Sequence, residues 1–474
     1  MRTPLLLAAC IVLTIYCSCT KSPDSPVLPQ QHLLTSFEVT VVERVPDHAV
    51  ITWSESLNVA TSDSIKYKIF LNDSLIDSNL LNRKDILKDL SGTKEYNGKV
   101  LAYTASGDTV SAPFFLEKVD GMVFFGNYDA DVFQEINLFT GKLIFKIAAG
   151  SSGNSLGYSA PVISNDTAFI SNNESTGYGL EAFNLNTGEL IWNALPYSAG
   201  YNTFINSEIT YYAGKLYAST RDGVISIDAS NGQTVWKNTA HVFNSNPVID
   251  GDKLLVNSGA TLFALNVANG ETIWQSAHTS LLMNRPVANK GTVYFSTHGQ
   301  EVYAVNENTG AIIWQNNYVG VNAYYDPIPS PVIFNNILIV GTTESGVYGL
   351  NLTNGKTIWH YDNGILGCSQ TTLGNGNVYF SQVIGFSSYQ SQITAVDATT
   401  GKLVWEQTNK SEQTDNLIFV NNRLYCGHLG RSIECLNAVD GTFLNYVVGS
   451  GSRGTFTIRL NNVSYFTADH GNYK

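Results

Sequence analysis

The chain has 474 residues, 43% of them hydrophobic and only 14% charged, with 27 Lys and Arg against 39 Asp and Glu for a formal net charge of -12. That length exceeds one ordinary core, so the expectation is two or more domains or one large repeat array. An acidic chain without a basic run has no electrostatic footprint for a phosphate backbone, which argues against nucleic acid, and 40 Gly, 25 Tyr and 22 Phe point to many turns and strands.

In chain order, the first element is a targeting segment. Arg2 precedes an apolar run, Leu5 to Tyr16, interrupted only by Cys10 and Thr14. The run is too short to span a bilayer comfortably and reads as the apolar region of a signal peptide. The stretch Tyr16-Cys17-Ser18-Cys19-Thr20 resembles a bacterial lipoprotein signal, in which a small residue precedes the cysteine that is lipidated. Ser18 fits that position better than Tyr16, so the resemblance implies a signal over 1–18 and lipidation at Cys19. An ordinary cleaved signal is the alternative. Residues 19–32 are polar and Pro-rich, as expected of a semi-extended tether. The implied location is the cell envelope, as an outer-membrane lipoprotein facing the periplasm or the surface and held to the membrane by its lipid alone.

Residues 33–118 come next, with alternating apolar runs at Phe37–Val41, Ala49–Trp53, Ile65–Ile69 and Gly98–Tyr103. Period-two runs separated by turn residues such as Leu71-Asn72-Asp73 predict a small antiparallel sandwich. Trp53 on an early strand, Tyr67 on the next, and Leu90 six positions before Tyr96 resemble a fibronectin type III domain. The proline that family carries in this turn is missing. Trp53 and Tyr96 are assigned to the core.

From 119 to 474 an internal repeat dominates. An apolar strand, then Asn or Asp, a turn ending in Gly, and a second strand usually carrying Trp recur eight times. Clear copies are Phe183-Asn184-Leu185-Asn186-Thr187-Gly188-Glu189-Leu190-Ile191-Trp192 and Val396-Asp397-Ala398-Thr399-Thr400-Gly401-Lys402-Leu403-Val404-Trp405. The glycines are Gly141, Gly188, Gly232, Gly270, Gly310, Gly355, Gly401 and Gly441, spaced 47, 44, 38, 40, 45, 46 and 40 residues apart. That period is one four-stranded propeller blade, too long for a leucine-rich solenoid. Asn or Asp closes the turn on its own backbone, and Gly accepts a left-handed conformation. Trp192, Trp236, Trp274, Trp314, Trp359 and Trp405 follow their glycines by four residues, while Phe145 and Asn445 stand there in the terminal copies. Two apolar runs after the last copy, Thr455–Ile458 and Val463–Phe466, compete to complete the first blade. The expected fold is all-β, an eight-bladed β-propeller behind a small fibronectin type III-like β-sandwich. Seven complete blades plus a remnant is the alternative.

The phrase resembles the pyrroloquinoline-quinone-type propeller repeat over nearly all of 119–474. That blade builds quinone-dependent alcohol dehydrogenases as well as the cofactor-free propeller lipoprotein of the outer-membrane β-barrel assembly machinery. The enzymes carry a vicinal Cys-Cys pair, a Trp floor and long inter-blade insertions. Here no Cys-Cys pair occurs, every Trp of the repeat sits in the turn phrase, and the gaps are uniform. The six propeller histidines are scattered, without metal-ligand spacing. The resemblance therefore implies no cofactor, no metal and no catalytic residue. The chain reads as a non-enzymatic scaffold, monomeric or within a complex, for an envelope protein or an extracellular polymer. A quinone-dependent dehydrogenase or other enzyme with its site over the axis is the alternative.

Connections from an outer strand to the next inner strand share one rim. They hold Tyr201, Asn202, Phe243, Asn246, Asn284, Arg285, Tyr324 and Tyr325, aromatic and amide groups suited to a peptide, strand edge or glycan. The alternative is that they plug the channel. Cys426 and Cys435 are symmetric about Gly430-Arg431, so if those two residues form the turn the pair faces across one hairpin, either as a disulfide or as packed free thiols.

Overall fold

The computed structural model describes residues 34–44, 49–57, 64–90, 94–116, 121–127, 132–138, 143–148, 160–174, 177–194, 207–220, 222–243, 245–282, 285–298, 301–317, 329–342, 346–365, 368, 371–384, 390–409, 414–428, 432–448, 452–460 and 463–466. The leader with Cys19 and the tether lie outside them. Every regular element among the described residues is a strand, in keeping with the all-β expectation. The chain forms two compact units, taken here one at a time.

The first unit is built on a four-stranded sheet in the order Ser74–Leu80, Lys66–Leu71, Tyr96–Tyr103, Thr109–Leu116. A three-stranded sheet, Val39–Arg44, Ala49–Trp53 and Lys84–Leu87, has residues in both units. Along Lys66–Leu71, Tyr67, Ile69 and Leu71 are buried while Lys66, Lys68 and Phe70 are half-buried. This is the alternation of a sheet with one wet face. Phe37 and Trp53 close over Tyr67, their ring centroids 5.9 and 5.4 Å away. Trp53 is core, as its sequence context indicates; Tyr96 is only half-buried.

The second unit contains, among the described residues, eight further antiparallel sheets. Seven are four-stranded meanders within 162–194, 210–238, 248–277, 287–317, 332–361, 372–409 and 414–448, numbered here the second to the eighth. The first sheet is five-stranded and joins distant parts of the chain. Its order is Leu143–Ala148, Val132–Asn137, Gly121–Asn127, Ser452–Leu460, Val463–Phe466. Both C-terminal runs therefore enter it, Ser452–Leu460 beside Gly121–Asn127 and Val463–Phe466 as a further strand.

Middle strands such as Lys215–Thr220 are buried on both faces, as required of a sheet sandwiched between two others. Separate apolar cores join the first sheet to the second, the second to the third, the third to the fourth and the fourth to the fifth. Further cores join the fifth to the sixth, the sixth to the seventh and the seventh to the eighth. An eighth core, with Val123, Ile136, Tyr425, Phe456 and Ile458, joins the eighth sheet back to the first. The series closes into a ring.

The repeated phrase supplies the joints. In the copy around Gly401, the Asp397 carboxylate accepts from the Thr399 and Thr400 amides at 3.0 and 2.7 Å, fixing the hairpin. The indole N–H of each repeat tryptophan then crosses to the next sheet. Trp192, Trp236, Trp274, Trp314, Trp359 and Trp405 donate to the carbonyls of Ala229, Val267, Glu307, Leu352, Ala398 and Ala438 at 2.7–3.2 Å. Each ring lies flat on that turn's glycine. A Cβ on Gly310, whose φ is +69°, would sit 2.5 Å from the Trp274 ring, so the turn needs glycine for backbone and space alike.

The expected facing of the two late cysteines is corrected. Cys426 pairs with Glu434 and Cys435 with Tyr425, a ladder centred on residue 430 instead of between 430 and 431. One residue of slip moves a strand side chain to the opposite face. Cys426 accordingly packs toward the seventh sheet and Cys435 toward the first, and both are buried free thiols.

Candidate functional site

In an antiparallel meander, the link from an outer strand to the next inner strand emerges at the same end as the hairpin between the two middle strands. The candidate rim is this end of the ring. Tyr201, Asn202, Asn284, Tyr324 and Tyr325 lie outside the described residues. Phe243, Asn246 and Arg285 are described, and each has a structural occupation.

Phe243 is completely buried, in the core between the third and fourth sheets and edge-on to Phe263 at 5.4 Å. It is corrected from rim contact to core, because the connection turns inward there to cover the sheet interface. Asn246 and Arg285 belong to a series of residues just ahead of the inner strands. The Asn246 side-chain carbonyl accepts from the Glu208 amide at 2.7 Å, and the Ser330 hydroxyl accepts from the Arg285 amide at 3.1 Å. Each bond runs from one sheet's approach segment to the next. Arg285 Nη2 also meets Glu208 Oε2 at 2.7 Å, with side chains 13% and 18% exposed. This pair bridges the third and fifth sheets past the fourth. At this partial burial it holds the geometry of three approach segments more than it adds net stability.

The same end carries a second constellation that sequence reading missed. Glu301, which opens a middle strand of the fifth sheet, accepts from the hydroxyls of Thr279 (2.8 Å), Thr297 (3.2 Å) and Tyr303 (2.9 Å) and from Gln315 Nε2 at 3.3 Å. His278, just past the outer strand of the fourth sheet, packs against Tyr303 and Phe295 at 4.4 and 4.8 Å. Both its ring nitrogens are buried without a hydrogen-bond partner. Burial pulls its pKa down to about 4, only partly opposed by the Glu301 carboxylate. The imidazole is therefore a neutral apolar filler at neutral pH. A carboxylate with four donors is occupied as an acceptor, and the arrangement is suited to rigidity and not to proton transfer. Glu208 and Glu301 stand alone in their segments without a motif; the one sequence signal was the recurring approach phrase, as in Ser245-Asn246-Pro247 and Asn284-Arg285-Pro286.

The described residues offer no indole floor for a quinone over the axis. Each repeat indole is already engaged against a neighbouring turn, so none is available as a floor for a planar group. Among the described residues no three His, Cys, Asp or Glu side chains converge as a metal-ligand set.

Comparison with known proteins agrees with this geometry. The family described as outer membrane protein assembly factor BamB matches residues 91–240, 220–365 and 369–459, most of the chain. The chain belongs to that family. It is 22% identical over 381 residues to the outer membrane protein assembly factor BamB of Shewanella oneidensis, covering 74% of this chain and 89% of that one. It is 24% identical over 216 residues to the tetrathionate hydrolase of Acidithiobacillus ferrooxidans, covering 43% of this chain and 38% of the enzyme. The crystal structure of BamB from Moraxella catarrhalis superposes with a TM-score of 0.52 at 19% identity, over 65% of this chain and 95% of that one. A europium-containing methanol dehydrogenase superposes at 0.55 with 12% identity, over 68% and 85%. At those identities the likeness is one of fold, a β-propeller built from pyrroloquinoline-quinone-like repeats.

Proposed function

We propose that this protein is a non-catalytic scaffold of the outer membrane, an eight-bladed propeller whose outer-to-inner connections meet a protein of the envelope assembly machinery or an envelope polymer. The observation that carries this reading is the state of the rim's polar groups. Glu208, Arg285, Asn246 and Glu301 are bound to one another or to neighbouring connections, which stiffens a contact surface and leaves none of these four groups poised for chemistry. Family membership supports the same class of role. The contact residues proposed on this rim are Tyr201, Asn202, Asn284, Tyr324 and Tyr325, with Asn246 and Arg285 holding the segments between them. The seven N-terminal strands, with sheets of three and four, are read as a fibronectin type III-like spacer, and Cys19 as the lipid anchor.

The test is cross-linking and affinity capture from detergent-solubilised envelopes, comparing the full chain with a Tyr324→Ala/Tyr325→Ala variant. A specific envelope component that is retained by the native chain and lost by the variant is expected. An enzyme would instead show bound quinone absorbance and Ca²⁺-dependent dye reduction in the purified protein, and that result overturns the reading.

A further inference from the structure

We propose that the first sheet is the joint at which the ring opens, and that the strand Ser452–Leu460 is the piece that releases it. Eight sheet-to-sheet interfaces close the ring, and six of them carry an indole bond from one sheet to the next turn. The two without it are the two that flank the first sheet. Asn445 stands where a tryptophan of the eighth sheet would reach the first, and Phe145 where one of the first would reach the second. Neither has an indole N–H, and the seventh tryptophan, Trp53, is in the other unit.

Phe124 and Phe133 pack the first sheet on the second, and Val123, Ile136 and Leu138 pack it on the eighth; one strand adds contacts to both interfaces. Phe456 and Ile458 are fully buried in the core shared with the eighth sheet. From the same strand, the Thr457 hydroxyl donates to the Pro161 carbonyl, and Arg459 Nη1 donates to the Asn165 carbonyl at 3.0 Å, both on the side of the second sheet. The Arg459 guanidinium also lies over the Phe124 ring at 5.6 Å. Alternate side chains of Ser452–Leu460 thus clamp both neighbours.

In each of the other seven sheets, strands paired in the ladder follow one another along the chain. Ser452–Leu460 pairs instead with Gly121–Asn127, a partner from the far end of the repeat array, through a ladder that breaks register between Ser452 and Phe456. Separating those two strands, together with release of Val123, Ile136 and Leu138 from the eighth sheet, opens the ring without dismantling any hairpin. Regions secured by fewer interactions open at lower free energy than the rest of a fold. Opening here would uncover the edge of Gly121–Asn127 while leaving the second to eighth sheets and their six indole bonds in place.

Native-state hydrogen exchange followed by mass spectrometry on the full chain tests this. Peptides from 121–137 and 452–466 are expected to exchange together, at least about tenfold faster than peptides from 253–266 in the fourth sheet. A Thr457→Val/Arg459→Ala variant is expected to widen that ratio while leaving 253–266 unchanged. Should the variant fail to fold, the native chain alone decides. Protection of 121–137 equal to or greater than that of 253–266 overturns the proposal, as does a folded variant in which the ratio stays the same.

Discussion

A partly buried carbonyl that receives an indole N–H from another sheet loses its partner if the ring cannot donate. Trp274→Phe keeps an aromatic face on Gly310 but orphans the Glu307 carbonyl, now bonded at 2.7 Å. The expected cost is about 1–3 kcal/mol, read as a lower urea midpoint with an unchanged slope. His278 permits a second residue-scale test. Its pKa in the fold is about 4 against 6.5 for a free imidazole, because burial disfavours the charged ring. Below 6.5 the unfolded chain takes up a proton that the folded chain refuses, so this residue's contribution to stability declines as pH falls from 6.5 toward 4 and is flat outside that window. His278→Phe should therefore lose less stability between pH 7 and pH 5 than the native chain. A double difference in urea midpoints measures it, and equal losses would show that the imidazole titrates normally.

At the scale of the element, what was legible was whatever repeats. Eight turn glycines at blade spacing and six tryptophans four residues on give the hairpins, and the structure places each indole on the neighbouring turn. Two things were not legible. The partner of Gly121–Asn127 is set by closure of the ring and not by local pattern, so two apolar runs looked equivalent until both joined the sheet. The facing of Cys426 and Cys435 depends on the turn for a related reason: a one-residue difference in where the ladder is centred leaves the composition of both strands untouched but exchanges their faces, and the register found gives the packed free thiols and not the facing pair. Rim residues were the least legible, since Phe243 in a polar connection has no local mark of burial, and the Glu208–Arg285 pair joins segments from different sheets. The cysteine geometry has a direct consequence. With Cys426 and Cys435 on opposite faces, and burial pushing both thiols up, reductant should leave the melting temperature unchanged. Thiol reagent should label neither residue until the protein is unfolded. A rise in electrophoretic mobility without reductant, traced to this pair, would show that the strands can shift register.

For the whole molecule, closure by chain ends makes a sharp distinction between two truncations. Ending the chain after Leu460 removes Val463–Phe466, a fifth strand in a ring whose other seven sheets are four-stranded. The Ser452–Leu460 ladder remains, so this shortened chain should fold and melt close to the native one. Ending it after Val448 removes Phe456 and Ile458 from a core they share with Val123, Ile136 and Tyr425. It also removes the bonds of Thr457 and Arg459 to the second sheet. Burying two such apolar side chains is worth about 1.5–3 kcal/mol each, and the lost ladder exposes the Gly121–Asn127 edge. Against the roughly 5–15 kcal/mol that holds a typical protein folded, that loss is a sizeable share of the margin. The longer truncation should therefore bind a hydrophobic dye and be cut by protease within the first and eighth sheets under conditions that leave the shorter one intact. Equal resistance in both would mean that the seven remaining sheets form a stable arc without closure. In that case the indole bonds and the apolar cores between those sheets would suffice to hold the scaffold.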